Sequence, residues 1–446
     1  MDRRFSERKK QMLAECEGTE EALDGVLARL QEFARPFADL LPTETQRKYA
    51  RIYLSGLTSN LERKNAESIA YREGLHRRCI QDFVSEKTWG HEPLIDELAR
   101  QIGREIGESD GVLVFDPSGF PKKGTQSVGV QRQWCGRLGK KDNCQVGVYL
   151  GYASRKDYAL VSTRLYLPAE WAQNKTLRKK CGVPKEVRFQ TRHDLALDML
   201  REEARHLPHG WIAGDDEMGR SSKFRRELRA SNEKYVLAVP SNTTIRDLLY
   251  DPPEWSGRGP KPKRAFEQVQ KWVQHLDEGA WTSIEVRDAE KGPLVVDLVV
   301  TQVQTHGEGH RVEQDAEVLI VVRLKDEQGK VKHDYYLSNA PYETPLEEFG
   351  RVIKAEHRIE DSLKLAKSET GLAHYEVRSW AGWHHHQALS LIAAWFLTME
   401  TRRGKKMHPG SDRAAGSRRP GNLLVSGQQR RRPTARSVEC QATTAA

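Results

Sequence analysis

Apolar positions recur at helical spacing through residues 11–41: Met12, Leu13, Leu23, Val26, Leu27, Leu30, Phe33, Phe37, Leu40 and Leu41. Pro42 ends that pattern. Residues 46–79 again suit helix, with eight Lys/Arg against three Glu and apolar residues between. That basic face is either solvated or turned to an anion. From residue 111 the period changes. "VLVF", "CQVGVYLGYA" and "ALVSTRLYL" predict three successive strands. "TRHDLALDMLREEARHL" predicts a helix, "GWIAGDD" a fourth strand, "SSKFRRELRASN" a helix and "KYVLAVP" a fifth strand. Residues 241–345 are β-rich, with "WTSIEVRD", "PLVVDLVVTQVQ", "AEVLIVVRL" and "KHDYYLSN" as strands after a Pro/Gly-rich basic loop. They predict an insertion forming a strand-rich lobe of its own. Helical spacing returns in "TPLEEFGRVIKAEHRIEDSLKLAKSETGL" and "HHHQALSLIAAWFLTMETRR".

The order β-β-β-α-β-α-β, with Asp at the ends of the first and fourth strands, is that of a ribonuclease-H-like mixed α/β sheet. In that order the first and fourth strands lie side by side, so Asp116 and Asp215 can converge. A helix packed across them can present Glu360. Three carboxylates on rigid elements suit two Mg²⁺ ions about 3.5–4 Å apart, because magnesium takes oxygen ligands and keeps part of its water shell. Each acid also has a plainer reading. A strand-end Asp is commonly a turn residue, Asp215 or Asp216 can cap the following helix, and helical acids such as Glu356, Glu360 and Asp361 are commonly solvent-facing.

Composition narrows the class. The chain has 446 residues and a formal charge of +9. Seven arginines and two acids lie beyond residue 408, so the body is only mildly basic and an anionic partner must be met by local patches. The longest near-continuous apolar run, Leu389 to Leu397, is too short to span a bilayer. The charged start has no apolar stretch of a secretory signal. The six cysteines form no CxxC pair. These features predict a cytoplasmic protein. His384 to His386 point in different directions on a helix, which argues against one ion bound by all three.

Three ordered motifs resemble bacterial insertion-sequence transposases of the DDE superfamily, in the branch with a β-rich insertion between second Asp and Glu. They are "FDPSGFPKKGTQSVGVQRQWCGRLGKKDNCQVGV", "AGDDEMGR" followed by "KYVLAVP", and "RIEDSLKLAKSETGLAHYEVRSWAGWHHHQALSLIAAWFL". The likeness runs from about Phe33 to Lys406. Asp215 lies 99 residues after Asp116, and Glu360 a further 145 on, a gap holding the insertion. The resemblance implies that Asp116, Asp215 and Glu360 are the catalytic and metal-binding triad, using two Mg²⁺ ions with Mn²⁺ able to substitute. Lys367, two helical turns past Glu360, falls on the signature's DNA-contacting lysine. The signature's Arg and Tyr fall on Glu356 and Ile353, and neither matches. Glu376 in "HYEVRSW" is a rival third acid.

The polar run after Asp116 would then rim the active site. Lys122, Lys123 and Arg132, with Arg220, Lys367 and Arg378, are the expected DNA contacts. Arg137, Lys140 and Lys141 are further candidates. Gly119 and Gly124 are expected to let the backbone turn tightly, and Trp134 either stacks on a base or packs in the core.

The resemblance implies a transposase that binds element ends, cuts phosphodiester bonds and joins 3′ ends to target DNA. The partners are double-stranded DNA and a second copy in the synaptic complex, with no membrane. The expected organisation is a helical DNA-binding region (1–98), a catalytic core in two parts (99–240 and 346–408), the insertion (241–345) and a disordered basic tail (409–446). The sequence leaves two alternatives. A catalytically idle DNA-binding derivative keeps the fold alone. A phosphatase of the haloacid-dehalogenase type would need an Asp where Ser118 stands.

Overall fold

The computed structural model describes residues 25–407 except 86–87, 250–253, 260–262, 290–291, 308, 310 and 326–329. The expected tail, residues 1–24 and part of the basic insertion loop lie outside the described residues.

Five helices lead: α1 (Val26–Asp39), α2 (Glu44–Leu57), α3 (Ala66–Arg72), α4 (Arg77–Ser85) and α5 (Glu92–Ile106). The run expected as helix over 46–79 is divided among α2, α3 and the start of α4. Thr43 opens α2 with a capping box completed by Gln46. Asn65 caps α3, and Gly74, with φ 67°, turns the chain after it. Buried faces of these helices join the same apolar core as the sheet.

The strands are β1 (Val112–Pro121), β2 (Gln131–Cys135), β3 (Lys140–Ala153), β4 (Tyr158–Leu165), β5 (Trp211–Gly214) and β6 (Tyr235–Val239). Helix α6 (Arg192–Glu202) precedes β5, and α7 (Asp216–Arg220) and α8 (Ser222–Ala230) follow it. β3 is antiparallel to β1 and to β4, whereas β5 is parallel to both β1 and β6. The order β4-β3-β1-β5-β6 is the predicted ribonuclease-H-like arrangement.

Two expectations need correction here. β1 does not stop at Asp116 but continues to Pro121, paired with β3 as far as Cys144. The polar run after Asp116 is thus largely a β-hairpin, with charged side chains on β2 and the start of β3. Nor does Gly119 make a tight turn, since it lies within β1, and neither it nor Gly124 has a positive φ. Gly119 is instead pressed against Cys135, whose Sγ would stand 3.0 Å from an added Cβ.

The insertion contributes β7 (Thr244–Asp247), β8 (Glu267–Gln268), β9 (Thr282–Ala289), β10 (Gly292–Thr305), β11 (Glu317–Lys325) and β12 (Val331–Ser338). It has an apolar cluster of its own, around Trp272, Val303, Leu319 and Leu337. Its strands are not a separate sheet, however. β12 pairs antiparallel with β6, so the described residues form one continuous sheet of twelve strands. The joint is also pinned by side chains. Arg225 on α8 pairs with Glu317 on β11 at 2.8 Å, both buried, while Tyr235 Oη and Thr305 Oγ1 donate to the same carboxylate.

Two long helices close the core, α9 (Leu346–Glu369) and α10 (Trp380–Met407). α9 lies across the sheet beside β1, β3 and β5. Arg351 donates to the Asp110 carbonyl at one end and Lys367 to Ser118 at the other. Ile359 seats it in the hollow left by Gly151 of β3, where an added Cβ would come within 2.6 Å of Ile359 Cδ1. α10 is buried through most of its length. The three histidines are structural parts of it. His385 stacks on Trp89 with ring centroids 3.5 Å apart, and His386 Nδ1 accepts from Tyr53 Oη at 2.8 Å. Burial pushes His384 and His386 down to about 3 and His385 to about 4, so all three are neutral near pH 7. Among the described residues, no helix is long and apolar enough to cross a membrane.

Candidate active site

The parallel register of β1 and β5 builds the centre. Phe115 pairs with Gly214, the last residue of β5, so Asp116 and Asp215 are the next residue on each strand. β1 runs on while the chain turns at Asp215 into α7. Asp215 is the N-cap of that helix and accepts from Met218 N at 3.1 Å. The capping role and the predicted site role thus fall on one carboxylate. Gly219 lets α7 lie directly on β6, since a Cβ there would collide with the Ala238 carbonyl.

Both aspartates are half-buried. Burial pushes Asp116 up to about 7, against the lowering effect of Lys367 and with a further push from Glu360 and Glu217. Burial also holds Asp215 well above the usual carboxylate range, with Asp116 as the leading charge behind the rise. Each carboxylate lies in the field of the other acids.

α9 brings two glutamates to this place. Its buried face carries Val352, Ile359, Leu363 and Ala366. Glu356, Lys367 and Glu360 lie in an arc along one flank of that face, by the 100° step of the helix. Glu360 is 54% exposed and paired with Lys364 at 3.1 Å. It is near enough to Asp116 to raise it. Glu356 is turned further in. Burial holds it well above the usual range, and the charges acting on it are Asp215, Asp116, Glu360 and Asp334, all acids. Sequence reading met Glu356 as a departure from a signature and as one of several helical acids expected to face solvent. Its place inside the four-acid group came from the helix's rotation, which periodicity resolves only once the packing partner is known.

Lys367 Nζ donates to Ser118 Oγ at 2.6 Å, two residues past Asp116 on β1. It also sits over the Phe120 ring, 5.2 Å from its centroid. Lys122 turns inward instead: its Nζ lies 3.4 Å from the centre of the Tyr375 ring and donates to the Tyr375 carbonyl. Lys123, Arg132 and Arg378 are exposed. Arg220 is exposed and pairs with Asp216. Trp134 is 52% exposed on β2. The rival Glu376 lies at the surface, where Arg63 and Asn65 donate to it; neither is an acid of the central group.

The donor set fits a hard divalent cation in its chemistry. It is all oxygen, and its members raise one another because no basic side chain offsets them all. In the recorded side-chain positions, no group of three Asp, Glu, His or Cys among the described residues is arranged to hold a metal ion.

The sequence profile of the DDE superfamily endonucleases matches residues 36–293. The chain belongs to that family. The match begins near the end of α1 and spans α2 to α5, both aspartates and the first part of the insertion. This DDE endonuclease is also 27% identical over 228 residues to a protein described as a probable transposase for insertion sequence element IS701, from Microchaete diplosiphon. That alignment covers 49% of this chain and 56% of the relative, so the chain spans little more than half the length of the curated relative it matches. Among solved structures, the NurA nuclease from Sulfolobus solfataricus aligns over 62% of this chain and 91% of its own, at 10% identity and a TM-score of 0.25. The kinship to insertion-sequence DDE transposases expected from the three motifs holds.

Proposed function

We propose that this endonuclease is a cut-and-paste transposase, which cleaves phosphodiester bonds at the ends of an insertion sequence and joins the freed 3′ ends to target DNA. The observation that carries the reading is the placement of Asp116 and Asp215 on adjoining strand positions, with the α9 carboxylates facing them, in a DDE-family chain. Asp116, Asp215 and Glu360 are the residues that would hold divalent cations, Mg²⁺ or Mn²⁺. Such ions, when bound, supply a deprotonated oxygen nucleophile and countercharge for the leaving oxygen.

The chain's own residues do the rest. The strand register holds the two aspartates side by side without a flexible loop between them and the sheet. Lys367, held against Ser118, offers its ammonium to a phosphate entering beside Asp116. Lys123, Arg132, Arg137, Lys140 and Lys141 on the projecting β2–β3 hairpin and its approach position the duplex by its backbone. Trp134 on the same hairpin is free to stack on an unpaired base. Lys122 is assigned a packing role under Tyr375 in place of a phosphate contact.

The test is strand transfer. A duplex carrying the DNA that flanks the gene, with a free 3′-hydroxyl at the element end, is incubated with supercoiled plasmid, Mg²⁺ and the full chain. The reading predicts covalent joining of the labelled 3′ end to the plasmid. Joining that proceeds equally in EDTA, or nicking without any joining, would overturn it.

A further inference from the structure

One arginine ties the projecting hairpin to the helix that Asp215 caps. Arg192 opens α6, and a capping box between Thr191 and Asp194 fixes that end of the helix. Its Nη1 donates to both carboxylate oxygens of Glu217, at 2.5 and 2.6 Å, and Glu217 lies on α7 two residues past Asp215. Beside it, His193 Nε2 donates to the Glu217 carbonyl at 2.9 Å, so α6 holds α7 by side chain and backbone together. The other end of the guanidinium reaches β2, where Arg192 Nη2 donates to Gln133 Oε1 at 3.2 Å. Gln133 Nε2 in turn donates to the Cys144 carbonyl on β3 at 3.0 Å, and only this orientation of the amide serves both partners. The guanidinium also lies 4.9 Å from the centre of the Tyr166 ring, and Tyr166 N donates to the Val146 carbonyl of β3. Gln133 stands between Arg132 and Trp134, which are exposed while it is half-buried. Alternate side chains of a strand leave opposite faces, so β2 turns Arg132 and Trp134 outward and Gln133 toward Arg192.

We infer that Arg192 is a positioning residue, which holds the DNA-facing β2–β3 hairpin at a fixed place relative to Asp215. The inference rests on the transposase reading above and adds a residue that acts through Glu217 and Gln133 instead of on the DNA itself. The requirement is geometric. A duplex laid on Arg132 and Trp134 meets Asp116 and Asp215 only as accurately as the hairpin is held, and a displacement of about 1 Å at a reacting group can cost about a hundredfold in rate. A guanidinium suits the task because its planar fork serves two acceptors in fixed directions, whereas a lysine ammonium on its flexible stem does not. An ion pair serving stability alone needs only Glu217; the bond to Gln133 crosses to the hairpin.

The test separates position from binding and from folding. Single-turnover cleavage at saturating protein with Mg²⁺, gel-shift affinity without metal and melting temperature are measured on the full chain, with a duplex carrying the DNA that flanks the gene. The proteins are the wild type, Arg192→Lys, Gln133→Met, Gln133→Glu and the double variant Arg192→Lys with Gln133→Met. Gln133→Met keeps the bulk and loses the acceptor; it should cut about tenfold more slowly or worse, with affinity and melting temperature near those of the wild type. Gln133→Glu, which keeps an acceptor for Arg192, should cut faster than Gln133→Met. The double variant should cut no more slowly than Arg192→Lys alone, because both changes break one tie. Hydrogen exchange read by mass spectrometry, without DNA or metal, gives an arm independent of activity. The amides of α7 should exchange about two- to tenfold faster in Gln133→Met, the equivalent of one lost hydrogen bond. Wild-type cleavage in Gln133→Met, losses that add in the double variant, or unchanged α7 exchange would each overturn the inference. A wild type that never cleaves overturns the transposase reading, and α7 exchange then decides the tie by itself.

Discussion

Asp116 and Asp215 are each the first residue past the last parallel pair of β1 and β5, Phe115 with Gly214. The backbone ladder, and not any side-chain contact, therefore sets them together. This makes the pair insensitive to surface changes and sensitive to anything that shifts the strands.

Asp116→Asn and Asp215→Asn should each lower end cleavage by about a thousandfold or more, the rate equivalent of losing several kcal/mol of charge stabilisation. Specific DNA binding, carried by phosphate contacts elsewhere, should change little. Glu360→Gln should behave likewise. Glu376→Gln should cut normally, because Glu376 is exposed and its partners are Arg63 and Asn65. Gel-shift and nicking assays on the same preparations check both halves. A dead Glu376→Gln beside an active Glu360→Gln would reverse the choice of third acid.

The site's titration should show in stability. Asp116 has its folded pKa raised to about 7 from an ordinary 3.8. Its protonated form is favoured by folding, so the associated stability is present below pH ~4 and is lost as pH rises through about 7. In metal-free buffer the melting temperature of the wild type should fall relative to Asp116→Asn between pH 5 and 8, by differential scanning calorimetry. Saturating divalent cation should remove the difference. Parallel curves for the two proteins would contradict the assignment.

The seating of α9 can be tested at Gly151. An alanine there places its Cβ within 2.6 Å of Ile359 Cδ1. Gly151→Ala should cost about 1–3 kcal/mol by overpacking and reduce cleavage further, by moving Glu356 and Glu360 off the aspartates. Adding Ile359→Val should recover part of both losses. Denaturant unfolding and cleavage rates of the single and double variants check this.

Arg225 and Glu317 join the core to the insertion through a buried ion pair. Arg225→Ala should destabilise the protein by about 3–5 kcal/mol, because Glu317 is left buried and uncompensated. Arg225→Ala combined with Glu317→Gln should be less harmful than the single change.

The two aspartates were legible in the sequence because apolar runs ended on them at strand spacing. Glu360 was legible only through its distance from Lys367. Glu356 was not, since which flank of α9 faces the sheet depends on Gly151 and Ile359, more than 200 residues apart. The hairpin after Asp116 was hidden because it projects and carries polar residues on both faces, which erases alternation. The continuity of the insertion with the core depends on β12 meeting β6 about 100 residues away, and nothing local in either strand names its partner. Lys122 looked like a phosphate contact because a lysine's direction is set by its neighbours, here Tyr375.

The most direct measurement is cleavage of a labelled duplex carrying the DNA that flanks the gene, with Mg²⁺ or EDTA, by the wild type and by Asp116→Asn. The account predicts cuts at the element end that leave 3′-hydroxyls, only with the metal and only with Asp116 present. Equal cutting by Asp116→Asn, or cutting that survives EDTA, would contradict it.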